Sequence, residues 1–308
     1  MNGTLTITEE QKGKRLDQIL PAVLHVSRSF VQKHVKEGQV TVGDKTIPPH
    51  YFVKVGDEVA WDIPEQKTDV IANADITMPI LFEDNDLLVV DKPAGLVVHQ
   101  GDGHRGSDTL VNWLLHARPA VKGIGDDVLR PGIVHRLDRD VSGVMAIAKT
   151  KTMYHHLSAL FASGAVVKIY EAIVYGAVAK AEDVITFPLA RSKTKGWRMA
   201  ARPTGEEALE GEREAITHIM RIASFQHYTH LRIQPKTGRT HQIRAHCAAM
   251  GHPIVGDALY ARTALHPERA PRLFLHATAV SFVDYNGNKR EFLSPLPQTF
   301  HDFLRQQI

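Results

Sequence analysis

The chain contains a single cysteine, Cys247, among its 308 residues. One thiol cannot form an intrachain disulfide, and it cannot supply a metal cluster that needs several thiolates. No apolar run reaches the roughly 20 residues that a membrane-spanning helix requires. The first residues, MNGTLTITEEQKGK, have neither the hydrophobic core of a signal peptide nor the composition of a transit peptide. We therefore expect a protein of a reducing compartment, the cytoplasm, with no membrane association.

Common nucleotide and nucleophile motifs are also missing. The sequence contains no GxxxxGK[ST], no GxSxG and no HExxH pattern. These motifs place a phosphate-binding loop, a serine nucleophile or a pair of zinc ligands where each chemistry needs them. Nucleotide hydrolysis, ester hydrolysis and zinc-dependent proteolysis therefore lack their usual sequence support.

Positive charge is concentrated near the N-terminus, although the formal net charge is only +3. Between Lys12 and Lys45 there are seven basic residues and three acidic ones, so this segment alone exceeds the net charge of the whole chain. A basic surface on a nearly neutral protein suggests a polyanionic partner. A solvated helix face with incidental charge explains the same pattern equally well.

The first 63 residues have the pattern of a small α/β unit. Apolar spacing predicts a helix over 15–24, where Pro21 is expected to end or bend it, and a second helix over 29–38 after Ser27 or Ser29 as N-cap. QVTVGDKTI and FVKVGDEVAWDI each have a Gly-Asp turn between alternating runs, which is typical of hairpins. Residues 64–78 are polar and aperiodic, and we interpret them as a linker.

The remainder, residues 79–308, alternates short apolar runs with scattered helical patterns. GIVH, VMAIAKT, VVKIYEAIVYG and HYTHLRIQP are predicted strands, whereas KTMYHHLSALFASG and RTHQIRAHCAAMG are predicted helices. No regular βαβ repeat is present. The pattern indicates an α+β fold with a mixed, mainly antiparallel sheet.

Three polar clusters lie at the ends of predicted strands or in loops: HRLDRD at 135–140, KIY at 168–170 and KTGRTHQIRAH at 236–246. Functional side chains are commonly placed on loops by a rigid sheet. Arg136 and Arg139 bracket Asp138, and nearby cations favour the ionised carboxylate that a nucleophile or a base requires. A single Asp in a polar loop is also common as a simple turn residue.

The histidines raise the alternative of a metallohydrolase. His241, His246 and His252 are near one another in sequence, with Asp257 downstream. Two ligands on one helix face need a spacing of three or four residues. The spacing of five between His241 and His246 turns them apart, so this alternative has weak support.

HRLDRDVSG, with PGIV before it and VMAIAKT after it, closely resembles the signature of the RluA-type pseudouridine synthases. In that family the aspartate of HRLD is catalytic, and it corresponds to Asp138. KIYEAIVYG resembles the strand with the active-site tyrosine, which corresponds to Tyr170. KTGRTHQIRAHCAAMGHPIVGDALY resembles the motif whose arginine pairs with the catalytic aspartate, which corresponds to Arg244. LFEDNDLLVVDKPAGLVVH resembles the opening motif, and RLFLHA the last one, where Leu275 is the aliphatic residue.

The resemblance implies a role for each residue. Asp138 would act at the ribose, Arg244 would orient its carboxylate, preferably by a bidentate contact, and Tyr170 would stack on a flipped uracil. Leu275 would pack against the base, and Arg136 would contact phosphate or fill the gap in the base stack. One departure is Val141, where the family commonly has threonine.

The N-terminal residues resemble the small RNA-binding domain that is shared with a ribosomal small-subunit protein, the S-four domain. The resemblance covers KRLDQIL and VSRSFVQKHVKEGQVTVGDK. It implies that basic side chains of this unit contact RNA, and the candidates are Lys14, Arg15, Arg28, Lys33 and Lys36.

The two resemblances imply an RNA pseudouridine synthase that acts on large-subunit ribosomal RNA. They predict domains at 1–63 and 79–308, joined by a linker at 64–78, in a protein that works as a monomer. The isomerisation neither adds nor removes atoms, so no cofactor and no metal are expected. Transfer RNA as the substrate and a non-catalytic RNA-binding or ribosome-assembly protein are the alternatives.

Overall fold

The N-terminal residues form a four-stranded antiparallel sheet with two helices packed on it. The computed structural model describes residues 1–24, 26, 28–64, 70–100, 106–192, 198–203, 205, 211–261 and 270–307. In spatial order the strands are β1 (Asn2–Thr6), β4 (Glu58–Asp62), β2 (Val40–Val42) and β3 (Lys45–Thr46). The helices are α1 (Leu16–Leu24) and α2 (Arg28–Lys36). Their apolar faces and the sheet enclose a core of their own.

Several local predictions for this unit need correction. Helix α1 continues through Pro21 for three more residues, so the proline does not end it. Helix α2 begins at Arg28, before the predicted cap Ser29, while Ser27 lies outside the described residues. Residues 52–55 form a single bridge, Phe52 with Arg15, instead of a hairpin strand. Strand β4 pairs with β1 instead, a strand that the sequence pattern did not indicate.

The rest of the chain is organised around a nine-stranded sheet. In chain order its strands are β5 (Ile80–Glu83), β6 (Leu87–Lys92), β7 (Ser142–Ala148), β8 (Val167–Tyr175), β9 (Glu182–Ile185), β12 (Thr217–Ser224), β13 (Tyr228–Pro235), β14 (Leu275–Val283) and β15 (Lys289–Leu293). The spatial order is β5-β6-β7-β14-β8-β13-β12-β9, and β15 pairs with β14. Strands β7 and β14 are parallel and the other pairs are antiparallel. The predicted α+β fold with a mixed, mainly antiparallel sheet is confirmed.

Among the residues that the structure describes, four α-helices and one separate hairpin complete this unit. The helices are α3 (Leu110–Ala117), α4 (Lys151–Ser163), α5 (Gln242–Ala249) and α6 (Gln298–Arg305), and the hairpin joins β10 (Leu189–Arg191) to β11 (Met199–Ala201). Gly164, in the left-handed conformation, ends α4 as its sequence predicts. None of the described helices is long and apolar enough to span a bilayer.

GIVH is not a strand, contrary to the sequence prediction. Gly132 has φ +70°, a left-handed conformation that departs from extended backbone, and only Ile133 of this segment forms a bridge, with Ile147 of β7. The chain therefore leaves the sheet before residue 135. The polar segment that follows becomes a loop lying at one end of β7.

The centre of the sheet brings three distant segments together. Strand β14 lies between β7 and β8, and its residues Leu275 and Ala277 pair with Ala172 and Tyr170 of β8. Asp138 precedes the first residue of β7 by four positions. The loop before β7, the start of β14 and the middle of β8 thus meet within a small region.

Gly143 makes the parallel pairing of β7 with β14 possible. It has φ +122°, and a Cβ atom at this position would lie 2.2 Å from the carbonyl oxygen of Ala277. No side chain fits at that distance from a backbone atom, so the glycine that ends the HRLDRDVSG segment is required by strand packing.

We expect Gly143→Ala to lower the free energy of unfolding by about 3 kcal/mol or more, because it combines a strained φ with a backbone clash. Gly123→Ala is the matched control. It has φ +81° but nothing within 4 Å of its Cβ position, so it should cost only about 1–2 kcal/mol. Urea denaturation of both variants measures the difference. Equal losses would contradict the role of the Ala277 contact.

Candidate active site

The loop that contains Asp138 is anchored by the apolar residues on either side of it. Leu137 and Val141 are each 3% exposed and belong to the main hydrophobic core. The N–H of Val141 donates to the carbonyl of Asp138 at 3.2 Å, which closes a turn around the intervening residues. The Val141 side chain packs in that core, where a threonine hydroxyl would need a hydrogen-bond partner.

Lys92 ties the same loop to the end of β6. This side chain is completely buried, and its ammonium donates to the carbonyl oxygens of Pro93, Leu96 and Arg139 at 2.8, 2.8 and 2.9 Å. The Arg139 carbonyl also accepts from the N–H of Gly95. Burial lowers the pKa of Lys92 to about 7, and the nearby carboxylate of Asp138 opposes that shift. Three carbonyl acceptors stabilise the buried ammonium and fix the loop.

Arg244 and Asp138 are in contact, although they are far apart in the sequence. Nη1 of Arg244 donates to Oδ2 of Asp138 at 3.2 Å. The bidentate contact, however, is made with Asp257, whose two oxygens accept from Nε and Nη2 of Arg244 at 2.8 Å each. The predicted bidentate Arg244–Asp138 pair is therefore wrong, because Asp257 occupies the other donors. Asp257 in turn accepts the N–H groups of Leu259 and Tyr260.

The arginines next to Asp138 in sequence do not contact it. Arg139 forms an exposed pair with Asp140, and Arg136 points its Nη1 toward Nε2 of His99 at 3.4 Å. The expectation that these neighbours bracket the carboxylate was therefore wrong. Adjacent residues in an extended loop point in different directions, and the cation beside Asp138 comes from α5.

His241 also lies near Asp138. Its Nε2 is 3.8 Å from Oδ2 of Asp138, and its Nδ1 is 3.2 Å from the hydroxyl of Tyr260. Burial lowers the pKa of His241, although the Asp138 charge opposes this shift. The residue has φ +52°, one of two non-glycine residues with positive φ among those described. Such a conformation is held by its surroundings and is common at functional sites.

The five residues predicted for the substrate site line one cavity of about 490 Å³: Arg136, Asp138, Tyr170, Arg244 and Leu275. This volume lies within the usual range for small-molecule sites. Burial raises the pKa of Tyr170, and the charge of Asp138 raises it further. The phenol therefore stays protonated and remains a hydrogen-bond donor. Leu275 is buried beside it, at the start of β14.

The basic residues predicted to contact RNA fall into two groups. Arg15 and Arg28 both bind the buried carboxylate of Asp17, at 2.8 and 3.0 Å, while their own side chains stay 34% and 45% exposed. Lys14 and Lys36 are exposed, and so is Lys33, whose ammonium is 3.8 Å from a carboxylate oxygen of Glu37. The two arginines thus stabilise the unit as well as contribute charge.

The histidines of the metal-site alternative each have separate partners. His246 contacts Thr217 and the carbonyl of Phe187, and His252 contacts the carbonyl of Tyr175. Among the described residues, no group of three or more His, Cys, Asp or Glu side chains is arranged to bind a metal ion. Their geometry gives the metallohydrolase alternative no support.

Two protein-family models match the chain. The model of the family described as RNA pseudouridylate synthase matches residues 86–249, and the model of the S4 domain matches residues 14–59. The first match covers more than half of the chain and includes Asp138, Tyr170 and Arg244. The chain belongs to the RNA pseudouridylate synthase family. It is an isomerase that converts uridine in RNA to pseudouridine.

Curated relatives of this synthase match over nearly its whole length. A protein of Synechocystis named as an uncharacterized RNA pseudouridine synthase is 38% identical over 313 residues, covering 98% of this chain and 92% of its own. Ribosomal large subunit pseudouridine synthase D of Yersinia pestis is 36% identical over 313 residues, covering 97% of this chain and 92% of its own. The protein of that name from Pseudomonas aeruginosa is 35% identical and covers 94% of this chain and 91% of its own.

Solved structures share the fold of the synthase. Human RNA pseudouridylate synthase domain containing 4 superposes with a TM-score of 0.59 at 25% identity, over 74% of this chain and 92% of its own. Human RNA pseudouridylate synthase domain containing 1 superposes with a TM-score of 0.60 at 24% identity, over 76% of this chain and 87% of its own. At this identity the second comparison supports the fold alone.

Two residues that support the site, Lys92 and Asp257, were not predicted from the sequence. Lys92 is part of DKPAGL, where a lysine next to proline has the pattern of an exposed turn. Asp257 is part of IVGDALY, and it drew notice only as a neighbour of the histidines. Its position inside a segment that resembles the family's arginine motif was the available signal, but a contact across 13 residues cannot be read from spacing.

His135 fixes the start of the loop in the synthase. Its Nε2 accepts the N–H of Ala146 in β7 at 2.9 Å, and its ring stacks on Phe161 at 4.5 Å. An acceptor nitrogen must be unprotonated. Burial, with a smaller contribution from Lys168, lowers the pKa of His135 from 6.5 to about 3.

The unfolded chain binds a proton at His135 near pH 6.5, whereas the folded chain does not until about pH 3. The free energy of unfolding should therefore fall as the pH decreases through this range. His135→Gln retains an acceptor that does not titrate, so we expect a smaller loss between pH 7 and pH 5 than in the wild type. Urea denaturation at several pH values measures both slopes. Identical slopes would contradict a neutral, hydrogen-bonded His135.

Proposed function

We propose that this synthase isomerises specific uridines of large-subunit ribosomal RNA in the cytoplasm, with Asp138 as the catalytic residue. The observation that carries the proposal is the position of the Asp138 carboxylate. It lies in the wall of a cavity of about 490 Å³, in contact with Arg244, and Tyr170 and Leu275 line the same cavity.

The reaction breaks the N1–C1′ bond of uridine and joins C5 to C1′ after the uracil has turned. The C5 hydrogen leaves as a proton and N1 gains one, so the composition is unchanged and no redox or group-transfer cofactor takes part. An ionised Asp138 either attacks C1′ or removes the C2′ proton. Arg244 orients the carboxylate in both cases and places positive charge beside it.

Tyr170 and Leu275 are proposed to hold the uracil. A base cannot reach a cavity of this kind while it is stacked in RNA, so it has to be flipped out at a cost of roughly a few kcal/mol. The Tyr170 ring offers a flat stacking surface, and its protonated hydroxyl offers a donor. Arg136, exposed where the loop meets solvent, is placed to contact phosphate or to fill the gap left in the stack.

The proposed RNA substrate follows from the relatives and from the N-terminal unit. Two relatives that match over nearly the full chain are named ribosomal large subunit pseudouridine synthase D. We propose that residues 1–63 form an RNA-binding domain, residues 64–78 a linker and residues 79–308 the catalytic domain. The four-stranded sheet, complete by Asp62, and strand β5, beginning at Ile80, support these boundaries.

Asp138→Asn should reduce conversion by at least about 1,000-fold, because an amide can neither attack C1′ nor accept the C2′ proton. Release of tritium from RNA labelled at uridine C5 measures the rate directly. Asp140→Asn is the matched control, since Asp140 is two residues away and pairs with Arg139 in solvent. Conversion by the Asp138 variant at the wild-type rate would refute the mechanism.

The substrate class is tested by mapping pseudouridines in cellular RNA with and without the protein. We expect positions in large-subunit ribosomal RNA to disappear and to return when the wild-type protein is supplied. Loss confined to transfer RNA would overturn the proposed substrate while leaving the chemistry intact.

The N-terminal lysines are expected to contribute RNA affinity without stabilising the fold. Replacing Lys14, Lys33 and Lys36 together with methionine should weaken binding and reduce the slope of log affinity against log salt by up to about 2, since each phosphate contact contributes about 0.7. The control replaces three exposed lysines of the second unit: Lys151, Lys180 and Lys289. A filter-binding series in KCl compares the slopes, and equal slopes would refute the role of the N-terminal cluster.

A further inference from the structure

Lys168 is a half-buried cation, and its surroundings differ from those of the fully buried Lys92. Lys92 donates to three carbonyl oxygens. Within the part of the chain that the structure describes, the ammonium of Lys168 has neither a hydrogen-bond acceptor nor an acidic partner. Burial lowers its pKa below the ordinary value of 10.5. A partly buried charge without a partner costs free energy, which an anion from outside the protein would offset.

The strand geometry points Lys168 into the proposed active site. Side chains two residues apart lie on the same face of a strand, so Lys168 and Tyr170 of β8 share a face. Both line the 490 Å³ cavity. The Nζ atom of Lys168 also lies beside the loop before α5, where a Cβ atom on Gly238 would be 3.9 Å from it.

The charges around the cavity are strongly unequal. Among the described residues that line it, one side chain is acidic, Asp138. Five are basic: Arg136, Lys168, Lys236, Arg239 and Arg244. Asp138 is already in contact with Arg244. Arg239 donates from Nε to the carbonyl of Glu214. The remaining positive charge favours an anionic ligand over a neutral one.

We propose that Lys168 binds a backbone phosphate of the flipped nucleotide, beside the loop at residues 236–239. This site rests on the proposed function, and it adds a phosphate contact to the base contacts of Tyr170 and Leu275. Phosphate is the anion that any RNA substrate brings into the cavity. Two other roles of the Lys168 ammonium compete with this one: a hydrogen bond to a uracil carbonyl, and transfer of a proton. Each of them predicts a different outcome from phosphate binding in the following tests.

The first test measures binding without turnover. The Asp138→Asn protein is titrated with large-subunit ribosomal RNA purified from cells that lack the synthase. The same titration is done with the Asp138→Asn, Lys168→Met double variant. We expect an affinity lower by on the order of tenfold and a salt slope smaller by about 0.7, because a phosphate contact releases counterions. Lys168→Arg should restore the slope, and Lys151→Met should leave it unchanged. An unchanged slope in the Lys168→Met protein would overturn the proposal, because a contact to a neutral carbonyl releases no counterion.

The second test separates charge from proton transfer in the otherwise wild-type protein. Tritium release should show a raised KM for Lys168→Met and a value near wild type for Lys168→Arg, since a guanidinium supplies charge but does not give up its proton. An Arg variant that binds with the wild-type slope but is as inactive as the Met variant would overturn the phosphate role. Wild-type protein that binds the RNA but releases no tritium would instead refute the proposed function, and the salt slopes would still stand.

A structural role is tested by stability. The Lys168 ammonium makes no bond to the described part of the folded chain, so Lys168→Met should leave the Tm equal or raise it. A Tm lowered by several degrees, together with an unchanged salt slope, would show a packing role and overturn the proposal.

Discussion

Arg244 offers one nitrogen, Nη1, to Asp138, because Asp257 binds the other two nitrogens of the same guanidinium. Asp257 is itself fixed by the backbone N–H groups of Leu259 and Tyr260. The orientation of the Arg244 guanidinium is therefore set by Asp257. Both residues are buried. The position of the Asp138 carboxylate therefore depends on a chain of contacts that extends away from the cavity, and a change in any of them would displace that carboxylate.

The sheet positions the other side chains that line the cavity. Strands β7, β14 and β8 are adjacent, and each contributes one side of the cavity: the loop before β7, the start of β14 and the middle of β8. Gly143 allows the first two strands to approach, and Lys92 holds the loop against β6. A site built on packed strands keeps its side chains in fixed directions.

The sequence was informative where structure is local. Helices α4 and α5 and strands β8 and β13 follow from apolar periodicity, and the resemblance to a known family led to Asp138, Tyr170 and Arg244. Contacts between distant residues were less accessible. The bidentate Arg244–Asp257 pair and the burial of Lys92 depend on the packed fold, since a lysine that caps carbonyls has the same sequence pattern as a surface lysine. The GIVH segment was wrongly predicted as a strand, because its apolar residues are buried without forming one.

The parallel pairing of β7 with β14 also joins segments that are far apart in the sequence. Ser142 and His276 are 134 residues apart, and a nascent chain emerges from the ribosome N-terminus first. The four-stranded N-terminal sheet is complete by Asp62, long before β14 is translated. The N-terminal unit can therefore fold while the larger sheet still lacks its central strand.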